Sequence, residues 1–168
     1  MPVSADVLRA HIDYTAWASL RLLKAAAQLP REELTRDFHT ADRTIPGSLA
    51  HIFAADRLWL ARLSGASAST FLTDGDREMA FLQSAWPALL ERWQAWAGAL
   101  TDERASAQIA YRDMRGNPWS RPLWQLVLHV VNHGTHHRGQ ISGFLRSLGR
   151  TPPPLDLVHF YRDRETLI

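Results

Sequence analysis

The sequence predicts an all-α fold, an antiparallel four-helix bundle with a short β-hairpin before its last helix. Three observations point there. Four long stretches repeat apolar residues at spacings of three and four, the period of a helix with one buried face. Pro30, Gly65 and Gly149 close three of these stretches, so the connections are short and neighbouring helices run antiparallel. Between the third and fourth stretches the period drops to two around Gly116. At 168 residues the chain supports one domain, 1–168, with a substantial core.

The first helix runs from about Ser4 to Leu29, with Ser4 as its cap and Leu8, Ile12, Ala16, Leu20, Leu23 and Ala27 as its stripe. Tyr14 and Trp17 sit on a neighbouring face and read as core. Residues 31–43 are a charged, irregular connector in which His39 is solvated. The second helix opens at Thr44-Ile45-Pro46, where proline suits the first turn, and stops near Gly65. It carries His51 and, near its middle, Asp56 and Arg57, which read as a polar network. Ser64 to Asp76 is a loop of small residues. The third helix covers about Arg77 to Leu100, with a Trp-rich stripe that reads as core and with Pro87 either kinking it or starting its main segment.

Gln108–Arg112 and Pro118–Ser120 flank a Met114-Arg115-Gly116-Asn117 turn, a hairpin in which Gly116 supplies positive φ. The last helix takes Ser120 as its cap and Pro122 in its first turn, and ends at Gly149. Gly134 and Gly139 weaken it by roughly 1 kcal/mol each, which implies close approach of another helix or room for a ligand. After Pro152-Pro153-Pro154 the tail, Leu155 to Ile168, folds back over the bundle, and His159 within it reads as structural.

Composition narrows the function. The formal charge is +2, from 19 basic and 17 acidic residues, with no Lys/Arg run, so a nucleic-acid partner is not expected. The chain has no cysteine, which excludes disulfides, thiolate catalysis and Cys-containing zinc sites. Any metal must be held by His, Asp or Glu. Asp6 and Arg9 argue against a signal peptide, and no apolar run of about 18 residues could span a membrane. The chain reads as a cytoplasmic protein without a membrane partner.

Four of the eight histidines, His129, His133, His136 and His137, fall within nine residues of the last helix. At about 100° per residue all four project from an arc of roughly 100°. Imidazoles one turn apart can share a divalent ion. Clustered histidines repel when charged and need partners when buried, so the arrangement lowers stability unless a metal or a reaction uses it. Spacing alone does not choose between His129/His133 and His133/His137. A helical pair still needs a third ligand, and His51 is a candidate.

The run Leu128-His129-Val130-Val131-Asn132-His133-Gly134-Thr135-His136-His137-Arg138-Gly139-Gln140-Ile141 resembles the signature of the DinB-like (DinB/YfiT-like) metalloenzymes. The opening helix from Tyr14 to Leu23 is similar to that family's. So are Leu49, His51, Asp56, Arg57 and Trp59 in the second helix, the Arg115-Gly116-Asn117 hairpin, and the Pro-Pro exit to Asp156. Thr15 and Ser19 depart from it, standing where the family often has Asn. The resemblance implies a four-helix bundle, usually dimeric, with a divalent ion, nickel or zinc, on His51, His133 and His137. His136 would then flank the ligands and His129 would lie one turn below the metal, where we expect it to pair with a polar group such as Asp56.

Three imidazoles leave a coordination position open, whereas a closed structural site would fill four. The resemblance implies transferase-like chemistry on a low-molecular-weight thiol and an electrophilic substrate, with the metal lowering the pKa of a bound thiol or water. No residue is singled out as catalytic beyond these ligands. The alternative is a non-enzymatic metal- or ligand-binding protein of stress response.

Overall fold

The computed structural model describes residues 3–66 and 72–165, which form seven α-helices and one two-stranded antiparallel sheet. Residues 67–71, in the loop expected over Ser64–Asp76, and 166–168, at the end of the tail, lie outside the described residues. No helix among them is long and apolar enough to cross a membrane. The expected mostly helical chain with one small hairpin is what folds.

Helix α1 (Ala5–Ala26) starts at Ser4, whose hydroxyl accepts from the Val7 N–H, and Asp102 takes the Ala5 N–H at 2.7 Å. Leu8, Ile12, Ala16 and Leu23 are buried as their spacing predicts, but Leu20 faces out and Leu22 takes its place inside. The connector is not wholly irregular: Arg31–Leu34 form a one-turn helix, α2, and Glu33 of that turn holds Arg150 through two hydrogen bonds. Helix α3 (Ile45–Leu63) is capped by Thr44, whose hydroxyl accepts from the Gly47 N–H at 3.0 Å. Gly65 adopts φ 71° just beyond its end.

A single 3₁₀ turn (Gly75–Arg77) leads into α4 (Met79–Gly98), and Pro87 lies inside that helix. Trp86 and Trp93 of α4 are buried against α3, so the tryptophan stripe is core. A short α5 (Asp102–Ser106) precedes strands β1 (Gln108–Arg112) and β2 (Pro118–Pro122), whose turn has Gly116 at φ 84°. The last long helix, α6 (Leu123–Ser147), ends with Gly149 at φ 73°. Helix α7 (Leu157–Glu165) returns over α1, setting Phe160 against Tyr14 and Trp17 and bringing Asp163 to the Trp17 indole and the Arg21 guanidinium. In the core, α1 packs on α4 and α6, and α3 packs on α6 and α4.

The start of α6 departs from expectation. Ser120 does not cap it: Ser120 is paired with Ala110 in the sheet, and its hydroxyl donates to Gln108. The strand continues to Pro122, which occupies the cap position without a side-chain bond. The Leu123 N–H instead donates to the Ala107 carbonyl at 2.9 Å. A backbone acceptor supplied by tertiary packing replaces the side-chain cap.

Gly134 also has a reason that local sequence does not show. A Cβ at that position would stand 2.8 Å from Nη1 of Arg138 on the next turn of the same helix. That guanidinium is 1% exposed and bonds the Ser19 and Thr135 hydroxyls, so it has little freedom to move. Glycine to alanine inside a helix ordinarily stabilises by about 1 kcal/mol. Here the sign reverses: Gly134→Ala is expected to destabilise the fold by about 1–3 kcal/mol in urea unfolding. Nothing lies within 4 Å of a Cβ at Gly139, so Gly139→Ala serves as the neutral or stabilising control.

Candidate metal centre

His51 comes from the second turn of α3, and His133 and His137 from adjacent turns of α6. The packing of α3 on α6 brings all three together, with one ring nitrogen from each within 4.8 Å of the others. Nε2 of His51 lies 3.1 Å from Nε2 of His133. The His137 ring centroid is 4.4 Å from that of His51 and 4.5 Å from that of His133. Bonds of about 2.1 Å to a tetrahedral ion separate its ligand atoms by about 3.4 Å, so small rotations would bring this set onto one ion. All three residues are half-buried, open enough for exchange and enclosed enough to be held.

The rings are braced from behind. Nδ1 of His137 lies 2.8 Å from Oε1 of Gln140, one turn further along α6, which directs Nε2 into the cluster. Nδ1 of His51 lies 3.4 Å from Oδ1 of Asp42 in the connector before α3. Neither Gln140 nor Asp42 was singled out from the sequence. Gln140 was findable, because a residue three beyond a histidine shares its helix face. Asp42 was not, because nothing local says where the connector turns.

The remaining candidates take other places. His129 is exposed beside the cluster, its ring 6.1 Å from that of His133 and edge-on to Trp59 at 5.3 Å. His136 is exposed, with its ring 5.0 Å from that of His137. The expected Asp56–His129 pairing does not form. Asp56 stands five residues after His51, roughly 140° round the helix, and faces α4. There its carboxylate accepts from Nε1 of Trp86 at 3.0 Å, and its carbonyl accepts from Nε1 of Trp93 at 3.0 Å. His39 is solvated, as expected, with its side chain 91% exposed.

Electrostatics favour neutral ligands. Burial, followed by the neighbouring His137, His51, His129 and His136, pushes His133 down to about 4. Burial and then His51 also lower His137, with Gln140 and Asp42 acting the other way. His133 binds fewer protons folded than unfolded between about 4 and its ordinary range near 6.5. Its stabilising contribution is therefore full above that range and is lost as pH falls through about 4. Asp56 has the opposite sign: burial pushes it up to about 7, so its contribution is full at acid pH and declines as pH rises toward that value. The two offset one another in whole-protein stability, so metal binding is the cleaner readout for the histidines. Imidazoles must be deprotonated to bind, and two of these three protonate less readily than usual, so Zn²⁺ affinity measured by competition titration is expected to be flat above about pH 7 and to fall most steeply as pH approaches about 4, where His133 takes up its proton.

A family model described as "DinB family" matches residues 1–166. The curated "Protein DinB" of Bacillus subtilis (strain 168) is 24% identical over 152 residues, covering 86% of this chain and 87% of that protein. Among solved structures, a DinB-like protein from Bacillus cereus ATCC 10987 superposes with a TM-score of 0.63. It is 20% identical in sequence, covering 92% of this chain and 99% of the other, a likeness that shows the fold.

Proposed function

The chain belongs to the DinB family, and on that premise we propose that His51, His133 and His137 hold a divalent ion, nickel or zinc, in a centre that uses a low-molecular-weight thiol against an electrophile. The carrying observation is the convergence of three imidazoles from two helices, with no fourth His, Cys, Asp or Glu in the group among the described residues. Such a set leaves a position for an exchangeable ligand. When bound, the ion would supply Lewis acidity and lower the pKa of a coordinated thiol.

The chain's own residues hold and shield that position. Gln140 fixes the orientation of His137, and the depressed basicity of His133 keeps its donor nitrogen free near neutral pH. His129 and His136 border the opening as exposed imidazoles within reach of solvent protons. In the transfer, the thiol sulfur would give up its proton to solvent water and form the bond to the electrophilic carbon, and the leaving group would depart with the bonding pair. The four long helices are read as an antiparallel bundle, and the protein as a cytoplasmic homodimer without nucleic-acid or membrane partners.

The test is to load the purified chain with Ni²⁺ or Zn²⁺ and follow thiol consumption against a fluorogenic electrophile, using glutathione and bacillithiol. The expected result is metal-dependent conjugation that is lost in His51→Ala. Stoichiometric metal without turnover for any thiol would favour the non-enzymatic metal-binding protein of stress response instead.

A further inference from the structure

The connector between α2 and α3 is short, polar and built with unusual effort. Two of its non-glycine residues occupy the left-handed region, His39 at φ 57° and Arg43 at φ 61°. Residues other than glycine adopt this conformation rarely, and it persists only where the surroundings over-determine it. Here they do. Asp37 accepts from the His39 N–H at 2.7 Å and from Nε and Nη2 of Arg43 at 2.9 and 2.7 Å. The Phe38 N–H donates to the Arg43 carbonyl at 2.7 Å, closing the loop on itself. The Phe38 ring stacks on Phe144 of α6 at 4.3 Å, pinning the loop to the helix that carries His133 and His137.

The residue presented by this loop is Asp42. Its carbonyl accepts from the Thr44 N–H at 2.7 Å and lies so close to α3 that a Cβ at Gly47 would stand 2.1 Å from it. Only glycine leaves room for that approach. The Asp42 side chain is thereby held, half-buried, with Oδ1 3.4 Å from Nδ1 of His51. Nε2 of the same ring is the nitrogen that faces His133. His51 is thus arranged as His137 is, with one nitrogen toward a fixed oxygen and the other toward the cluster, although its oxygen stands 3.4 Å away where that of Gln140 is hydrogen-bonded at 2.8 Å.

We propose that Asp42 is a positioning residue for the metal centre, holding His51 in the Nδ1–H tautomer so that Nε2 is the free donor, with the strained connector and Gly47 as the frame that places it. A carboxylate behind an imidazole fixes the ring, sets its tautomer and strengthens its donor nitrogen. An α3 helix without this loop would leave His51 free to rotate and to protonate either nitrogen. The inference rests on the metal-binding reading above and adds a residue that the family resemblance did not single out.

The test is Zn²⁺ affinity at neutral pH, measured against a chromophoric chelator, together with the absorption spectrum of the Co²⁺-loaded protein. Asp42→Ala is expected to weaken Zn²⁺ binding by about 10- to 100-fold and to alter the Co²⁺ spectrum. Asp42→Asn keeps the shape and an acceptor oxygen but loses the charge, and is expected to lose less. In a His51→Ala background the further change Asp42→Ala should have little additional effect, because its influence passes through that ring. The unfolding midpoint of the metal-free Asp42→Asn protein reports independently that the fold is intact. Wild-type affinity in Asp42→Ala, or an equal loss with and without His51, would overturn the positioning role while leaving the metal centre standing. Failure of the wild type to bind Zn²⁺, Ni²⁺ or Co²⁺ would overturn both.

Discussion

His133→Ala is expected to abolish stoichiometric metal binding while leaving the chain folded. His133 lies close to both other imidazoles, with Nε2 3.1 Å from that of His51 and its ring 4.5 Å from that of His137. Removing it leaves two donors on facing helices, too few for a tetrahedral site, so the affinity loss should exceed the roughly 100-fold at which loss of an outer hydrogen-bond partner tops out. Stability of the metal-free protein should change little. The side chain is only half-buried, and its removal also relieves the repulsion that the neighbouring imidazoles exert on its charged form. Elemental analysis of untagged protein, purified without chelator, should find close to one metal per chain in wild type and little in the variant. Equal metal in both would remove His133 from the centre. No metal in either after reconstitution would leave the histidine cluster to an acid–base or structural explanation.

Trp86→Ala is expected to have the largest effect on folding. Trp86 is fully buried, and its indole N–H donates to the Asp56 carboxylate at 3.0 Å. Truncation removes most of a large side chain from the core, at about 3–5 kcal/mol. It also strips a buried carboxyl of its donor, at about 1–3 kcal/mol more. Against the roughly 5–15 kcal/mol that holds a typical domain together, the loss takes away about half or more of the stability, which a large drop in the urea midpoint would show. Trp86→Phe separates the contributions, because it keeps most of the volume and loses only the donor. It should cost about 1–3 kcal/mol in urea unfolding. Because Asp56 is protonated more readily when buried, the penalty for losing the donor should be greater above pH 7, where the carboxyl is charged. A pH-independent penalty for Trp86→Phe would show that the Asp56 bond contributes little.

Both predictions involve contacts between distant parts of the chain, and that division marks what was legible beforehand. Helices, caps and turns depend on neighbours three or four residues away. Thr44 as a cap, Gly65, Gly116 and Gly149 at positive φ, and the shared helix face of His133 and His137 could all be read along the chain. The exceptions show the same principle. Ser120 is a good cap by chemistry, yet it was drawn into the sheet by Ala110, and the Ala107 carbonyl satisfied α6 instead. Gly134 looked like a place for a neighbouring helix or a ligand, but its space belongs to Arg138, held by Ser19 of α1.

The amino-acid sequence by itself determined the mostly helical class, the hairpin, and the histidine ladder on the last helix, because each follows from local periodicity and backbone preference. His51 could be named as a candidate because a helical pair needs a third ligand, but only the resemblance chose it, since spacing along one helix carries no information about a residue 82 positions away. Tertiary structure alone decided that Asp56 serves Trp86 and not His129, and that a strained connector sets Asp42 behind His51. Both depend on which helix faces cross and at what register. That is fixed by burying the α3, α4 and α6 stripes together, not by any short stretch of residues.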